Sequence, residues 1–139
     1  MAIANHGMER LAGIELGGTK CICILGTGPD DVQDQVEVAT TSPGETIDAL
    51  SQVLGRWDYA ATGIASFGPL DLDTASPSYG NIVNTTKAGW SGTSLLPLIA
   101  GKPFAIDTDV NGAALAEGHW GAAQGLDSWA YMTVGTGIG

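Results

Sequence analysis

The feature that most restricts the fold is a pair of apolar runs separated by a very short glycine-rich stretch. Leu11 to Leu16 and Lys20 to Leu25 have the composition of β-strands, the second being dense in the letters CICIL. Gly17, Gly18 and Thr19 separate them, and three residues cannot form a crossover connection, so the two strands must pair antiparallel. The fold is therefore expected to begin with a tight hairpin whose turn is made of small residues.

The rest of the chain alternates strands with helices. A third strand is predicted at about Gln35 to Thr41. Ser42 is a preferred N-cap, Pro43 fits the first helical position, and Glu45 closes a capping box. The helix that follows is predicted to bury one stripe: Ile47, Leu50, Leu54 and Trp57. The later elements are a strand in YAATGIASFG, a long irregular stretch that reaches Trp90, a short helix at Ser94 to Ala100, a strand at Pro103 to Asp107, a helix at Asp109 to Gln124 and a strand at Trp129 to Val134.

This order, β-β-β-α-β-α-β-α-β, predicts an α/β fold. Three meandering antiparallel strands followed by β-α-β-α-β units imply a mixed sheet with helices on both faces. The architecture resembles the ribonuclease H-like lobe of sugar kinases, actin and Hsp70, an actin- or hexokinase-type ATPase lobe. We expect residues 1–10 to be a disordered tail. Because the chain stops in the glycine loop VGTGIG directly after a predicted strand, we expect residues 11–139 to be the first lobe of a longer, two-lobed protein.

Charge and composition exclude several classes of partner. The formal net charge is −10 and the chain has five Lys plus Arg, so attraction to nucleic acid or to an anionic membrane is not expected. No segment approaches the roughly 20 apolar residues that span a bilayer, and a cytoplasmic protein is the simplest interpretation. Cys21 and Cys23 lie two apart in a predicted strand and so face the same side, which favours two buried thiols over a disulfide or a zinc half-site.

Two glycine turns follow predicted strands and suit a phosphate ligand. The successive N–H groups of the GGTK turn, residues 17–20, can surround an anion, with a hydroxyl and a positive charge added. The alternative is an ordinary glycine turn, since GGTK is no Walker loop. A second turn, Gly135 to Gly139, could face the same crevice and hold a polyphosphate together with the first. Its rival interpretation is a dinucleotide fingerprint, which Gly135 and Gly137 would begin.

Asp107 and Asp109 lie where a strand is predicted to end and a helix to begin. One of them is expected to face a given crevice, and in the alternative interpretation one is merely an N-cap. A carboxylate there can take the proton of a substrate hydroxyl during phosphoryl transfer. Glu15, just before the first turn, could help hold Mg²⁺ through water or could be a surface carboxylate.

Four motifs together are similar to those of a known family. GIELGGTK, GIASFGPLDL, DTDVNGAALAE and VGTGIG occur in the right order and at suitable separations. They resemble the ROK group (repressors, open reading frames and kinases) of the ASKHA superfamily, over essentially the whole of residues 11–139. FGPLDL, SPSYGN and DTDVNGAALAE look most like the bacterial fructokinases of that family.

The resemblance implies ATP-dependent phosphorylation of a hexose, with fructose converted to fructose 6-phosphate and with Mg²⁺ as cofactor. Asp109 matches the family's catalytic base. The resemblance assigns the ATP phosphates to Gly17, Gly18, Thr19, Lys20, Gly135, Thr136 and Gly137, and the sugar to Gly68, Lys87, Thr108 and Asp109. It also implies a homodimer at full length, and it places any structural zinc and the adenine pocket in a second lobe.

Two residues depart from the family's commonest pattern, which has Asp at position 15 and Asn at position 108. Glu15 changes how Mg²⁺ would be held, and Thr108 removes an amide that commonly binds a sugar hydroxyl, which makes glucose a less suitable substrate. One rival function is a sugar-responsive repressor, but this needs a helix-turn-helix module where about ten residues precede the first strand. The other is a lobe that binds sugar without catalysis.

Overall fold

The structure is a computed structural model that describes residues 8–135 and residue 138. Its strands are β1 (Leu11–Leu16), β2 (Lys20–Gly28), β3 (Asp31–Ala39), β4 (Ala61–Ser66) and β5 (Phe104–Thr108). Its helices are α1 (Pro43–Leu54) and α2 (Asp109–Trp120), and Leu96–Ile99 form a short 3₁₀ helix. Neither α1 nor α2, nor any other helix of the described residues, has the length and apolarity needed to cross a lipid bilayer.

The five strands form one mixed sheet in the order β3-β2-β1-β4-β5. β2 pairs antiparallel with both β1 and β3, whereas β4 pairs parallel with both β1 and β5. In this register Leu16 lies beside Ser66, and Ser66 lies beside Thr108. β1, β4 and β5 therefore end together at one edge of the sheet, which we call the carboxyl edge. The predicted α/β fold with a mixed sheet is confirmed.

The helices cover opposite faces of the sheet, as predicted. Alternate residues of β1 and β4 point into a core with the inner side of α1, and the buried side chains include Ile14, Leu16, Leu50, Val53, Leu54 and Ile64. α2 lies on the other face and approaches β4 closely, because a Cβ at Gly112 would stand 2.9 Å from the Cβ of Ala65. Glycine at position 112 is what allows this approach.

The predicted strand at Trp129 to Val134 is wrong. Within the described residues this segment does not join the sheet, and Val134 makes only an isolated bridge with Ile138. A strand needs a neighbouring strand whose N–H and C=O groups pair with its own, and this segment instead begins with a residue that contacts α2. The indole N–H of Trp129 donates to the carbonyl of Ala114 at 2.9 Å, and its ring lies against Gly118.

Several element limits also differ from the sequence predictions. β2 extends to Gly28 and β3 begins at Asp31, because the two strands continue their pairing through an irregularity in register at Gly26. The predicted helix at Ser94 to Ala100 is a single 3₁₀ turn that Ala100 ends in a left-handed conformation. α2 ends at Trp120 rather than at Gln124, because the backbone is extended at the residue after Trp120.

The start of α1 is close to the prediction but not identical to it. Ser42 is the N-cap and Pro43 the first helical residue, as predicted. The capping box is not formed, because the Ser42 hydroxyl donates to the Glu45 carboxylate at 2.8 Å instead of accepting from the backbone. This bond lowers the pKa of Glu45 below its usual value. The fully buried side chains of α1 are Thr46, Leu50, Val53 and Leu54, whereas Ile47 and Trp57 are only partly buried.

The two cysteines are buried free thiols on the core face of β2, as predicted. Burial raises the pKa of Cys23 to about 12, because the core disfavours a thiolate. Burial also raises the pKa of Cys21, whose sulfur lies 3.3 Å from the hydroxyl oxygen of Thr40. Both residues therefore act as small apolar side chains of the core.

Candidate functional site

The carboxyl edge brings together segments from three distant parts of the chain. Gly17 follows β1, Phe67 and Gly68 follow β4, and Asp109 follows β5. The N–H of Phe67 donates to the carbonyl of Leu16 at 2.9 Å, which joins the first two segments. A Cβ at Gly68 would lie 3.6 Å from the methyl group of Thr108, so the third segment is equally near. Ligands of open α/β sheets bind outside the carboxyl ends of parallel strands, and this edge is therefore the candidate site.

In the GGTK turn the backbone carbonyls are hydrogen-bonded, whereas two backbone N–H groups are available to a ligand. The N–H of Gly17 donates to the carbonyl of Lys20 at 3.0 Å and closes the turn. The carbonyl of Gly17 accepts from the Thr40 hydroxyl at 2.8 Å, and that of Thr19 accepts from the Thr40 N–H at 2.9 Å. The N–H groups of Gly18 and Thr19 have no acceptor among the residues that the structure describes. A turn with engaged carbonyls and available N–H groups is suited to an anion.

The carbonyl of Gly18 is engaged by a residue 69 positions away in the sequence. It accepts a 2.6 Å hydrogen bond from the ammonium of Lys87, which belongs to the loop that the sequence assigns to the sugar. That loop is fixed by Trp90, whose side chain is buried and whose indole N–H donates to the carbonyl of Thr41 at 3.1 Å. The Trp90 ring also meets Phe67 edge-on, with ring centroids 5.3 Å apart. The loop is thus held over the carboxyl edge from two sides.

The two glycines of the turn have different structural roles. A Cβ at Gly17 would stand 2.6 Å from the backbone oxygen of Lys20, so position 17 requires glycine for the turn to close. A Cβ at Gly18 would meet nothing within 4 Å and would project into open space. Steric contacts in the fold therefore do not require glycine at position 18, and the space beside it is open to a ligand.

We expect Gly18→Ala to weaken ATP binding while leaving stability nearly unchanged. The added methyl group fits the backbone but occupies the space beside the N–H groups where a phosphate would lie. Calorimetric titration of ATP and urea unfolding of the same variant measure the two effects. Gly17→Ala serves as the comparison, because its Cβ collides with the turn itself and should lower the free energy of unfolding. Unchanged ATP affinity in Gly18→Ala would show that the turn is not a phosphate site.

Lys20 is turned away from the position that the sequence suggests for it. Its ammonium forms a 2.8 Å ion pair with Glu37 across β2 and β3, and this hydrogen bond raises the pKa of Lys20. Glu15 lies on the same face of the sheet and adds to the rise. Both partners of the pair are more than half exposed, and exposed pairs are weak, at about 0–1 kcal/mol. A contact between Lys20 and phosphate therefore remains a prediction that requires the side chain to leave Glu37.

Asp107 and Asp109 have different hydrogen-bond partners. Asp107 accepts from the N–H of Thr108 at 2.7 Å and from the side-chain amide of Asn111 at 2.8 Å. Asp109 is half-buried, and its Oδ1 accepts only from the N–H of Val110, at 2.9 Å, among the described residues. The interpretation of one aspartate as an N-cap is wrong, because Thr108 is the N-cap and its hydroxyl accepts from the N–H of Asn111. Asp109 retains a carboxylate oxygen that can act on a ligand.

Thr40 is a residue of the site that the sequence analysis missed. It supplies two hydrogen bonds to the turn and lies just after Ala39, which pairs with Lys20. The signal that could have found it is the hairpin register, because extending the pairing of β2 and β3 by one residue brings position 40 to the turn. Its polar character alone does not distinguish it from the neighbouring Thr41.

The second glycine turn falls at the limit of the described residues. Gly135 is described and lies exposed in a bend after Val134, whereas Thr136 and Gly137 lie outside the described residues. The meeting of the two glycine turns therefore stays a prediction.

Glu15 is the carboxylate that the sequence predicts to help hold Mg²⁺ through water. Within the part of the chain that the structure describes, no group of three or more His, Cys, Asp or Glu side chains could hold a metal. Mg²⁺ in nucleotide sites usually takes about one or two carboxylates together with phosphates and water. Glu15 is exposed on β1 close to the turn, so its carboxylate fits that pattern through water.

The family model of the ROK family matches residues 11–139. The chain belongs to the ROK family. The ROK lobe thus includes the hairpin, the loop of Lys87 and the strand that leads to Asp109, and the predicted resemblance is confirmed.

Relatives of this ROK chain include two proteins named for fructose. It is 45% identical over 132 residues to a putative fructokinase of Bacillus subtilis, with 93% of this chain and 44% of the relative covered. It is 44% identical over 135 residues to a fructokinase of Zymomonas mobilis, with 91% and 45% covered. The chain therefore spans less than half the length of these relatives.

A solved structure gives the same ROK fold. A ROK family glucokinase from Streptomyces griseus, in complex with glucose and AMPPNP, superimposes with a TM-score of 0.77 at 26% identity, covering 94% of this chain and 43% of that one. That protein holds a sugar and a nucleotide analogue together. The ROK architecture described above is therefore that of a sugar kinase lobe.

Proposed function

We propose that this chain is the amino-terminal lobe of a two-lobed kinase that transfers the γ-phosphoryl group of ATP to fructose and forms fructose 6-phosphate. The observation that supports it most is the meeting, at one edge of the sheet, of a turn that exposes N–H groups and an aspartate with a free carboxylate oxygen. The names of the fructokinase relatives favour fructose over other hexoses. Thr108, which replaces the amide that commonly binds glucose, favours it as well.

Asp109 is the proposed general base. Its carboxylate accepts the proton of the sugar hydroxyl while that oxygen attacks the γ-phosphorus, and the bond to the bridging oxygen of ADP breaks. The N–H groups of Gly18 and Thr19 hold the phosphates in line. Glu15 would hold Mg²⁺ through water, and the ion would supply positive charge to the phosphate oxygens.

The sugar is proposed to lie between the segments that follow β4 and β5. Gly68 leaves room beside Thr108, and the Thr108 hydroxyl caps α2 as an acceptor while its own hydrogen stays available for a sugar oxygen. The loop of Lys87 closes the third side. Gly135, Thr136 and Gly137 would add phosphate contacts from the carboxy-terminal side.

The exposed apolar surface near the carboxy-terminal end supports a second lobe. The apolar side chains exposed there include Leu115, Trp120, Leu126, Met132, Val134 and Ile138. Contiguous apolar surface usually marks a contact with another part of a protein. We propose that the second lobe covers it, and that the full-length enzyme is a cytoplasmic homodimer.

A sugar panel tests the function. The full-length enzyme, with ATP and Mg²⁺, is expected to release ADP with fructose at a higher kcat/KM than with glucose or mannose, and to produce fructose 6-phosphate. Residues 1–139 alone are expected to show no turnover, because the phosphates are held between two lobes. Binding of fructose by the full-length protein without ADP release would support the alternative of a sugar-binding lobe without catalysis.

A further inference from the structure

We propose that Lys87 contacts the transferring phosphoryl group and supplies the positive charge that stabilises it. This inference rests on the proposed function and adds a residue to the chemistry of the same site. The sequence resemblance assigns Lys87 to the sugar, whereas the structure places its ammonium on the phosphate turn, 2.6 Å from the carbonyl of Gly18.

The distribution of the basic side chains points to Lys87. The chain has a net charge of −10 and five Lys plus Arg, so few cations can meet a triphosphate. Arg10 precedes β1 and pairs with Asp58, Arg56 follows the end of α1, and Lys102 precedes β5, so all three lie at the edge opposite the carboxyl edge. Lys20 begins β2 at the carboxyl edge but is paired with Glu37. Lys87 is the basic residue at the carboxyl edge, among those described, that has no carboxylate partner.

The geometry leaves Lys87 with donors to spare. An ammonium has three N–H bonds, and the described structure uses one of them, on the carbonyl of Gly18. The available N–H groups of Gly18 and Thr19 belong to the same turn as the carbonyl that Lys87 contacts. The Gly18 carbonyl and the Thr19 N–H point in opposite directions from their shared trans peptide, so the proposed contact requires the long Lys87 side chain to swing from the carbonyl to the phosphate. The half-buried side chain is held at its base by the loop that Trp90 anchors in the core. A cation fixed at its base beside the turn can supply positive charge to the transferring group, which is how electrostatic stabilisation of a phosphoryl group works.

The test compares Lys87→Met and Lys87→Arg in the full-length enzyme. We expect Lys87→Met to lower kcat about 10²-fold, the size typical of losing one preorganised donor, while the fructose affinity stays unchanged. It should also lower the affinity for AMPPNP relative to ADP, because only AMPPNP carries a γ-phosphate. Lys87→Arg should retain part of the wild-type kcat and part of the preference for AMPPNP over ADP, since arginine keeps the positive charge. Lys87→Gln replaces Lys87→Met if that variant does not fold.

Lys102→Met is a matched control. The Lys102 ammonium also donates to a backbone carbonyl at 2.6 Å, that of Tyr59, but at the opposite edge of the sheet. We expect Lys102→Met to leave kcat and the preference for AMPPNP over ADP unchanged. Wild-type kcat in Lys87→Met, or a fall in kcat with an unchanged preference for AMPPNP over ADP, would overturn the proposal for Lys87. An inactive wild-type enzyme would instead contradict the proposed function.

Discussion

Replacing Asp109 by Asn is expected to lower the turnover number of the full-length kinase by about 10³–10⁴-fold, at the upper end of what a general base contributes. The amide has the same shape and can still accept from the N–H of Val110, but it cannot take the proton of the sugar hydroxyl. ATP affinity should change little, because the proposed phosphate contacts are made by the GGTK turn rather than by Asp109. Steady-state kinetics with fructose measure the first quantity, and calorimetric titration of ATP measures the second.

Asp107→Asn is the matched control for this prediction. Asp107 lies two residues away, and its carboxylate is engaged with the N–H of Thr108 and the side chain of Asn111. We expect it to affect stability rather than turnover. Equal turnover in wild type and Asp109→Asn would end the assignment of Asp109 as the base. An equal loss of turnover in both variants would indicate that turnover depends on the structure of the first turn of α2 rather than on the Asp109 carboxylate.

Trp90→Ala is expected to lower the free energy of unfolding by about 3–5 kcal/mol, as is typical for removal of a buried Trp or Phe side chain. The side chain is only 1% exposed, so a large cavity would remain in the core. The carbonyl of Thr41 would also lose the indole N–H, and Phe67 would lose its edge contact. Urea unfolding of wild type and variant, compared at equal protein concentration, gives the difference.

A second tryptophan provides the comparison. Trp57 is only partly buried, and its indole N–H donates to the exposed carboxylate of Asp34 at 2.9 Å. Trp57→Ala should therefore cost much less stability than Trp90→Ala. Comparable losses in the two variants would contradict the view that Trp90 is the anchor of the loop that carries Lys87.

The sequence predicted those features that depend on local pattern and on general rules of topology. The short GGT connection required an antiparallel hairpin, and the later strands joined it in parallel, as β-α-β order implies. Because parallel strands end at a common edge, the sequence also indicated that the residues after β1 and β5, Gly17 and Asp109, would follow strands ending at the same edge.

The features that the sequence could not predict depend on contacts between distant residues. Trp129 to Val134 has the composition of a strand, but among the described residues it forms no ladder with the sheet, and the Trp129 indole instead bonds to the carbonyl of Ala114 on α2. The ion pair of Lys20 with Glu37 follows from the register of β2 and β3 rather than from any motif. The hydrogen bond between Lys87 and Gly18 joins two loops that are 69 positions apart in the sequence, and nothing in either loop's own sequence indicates it.

The common end of β1, β4 and β5 also affects how the site comes into being. Leu16, Ser66 and Thr108 are far apart in the chain, and pairings between distant segments form slowly because closing long loops costs entropy. A chain that has formed only the first hairpin has the glycine turn but not the aspartate beside it. The proposed base thus joins the glycine turn only when the outermost parallel pairing, between β4 and β5, is complete, so turnover rather than nucleotide affinity would report that a newly synthesised molecule has finished folding.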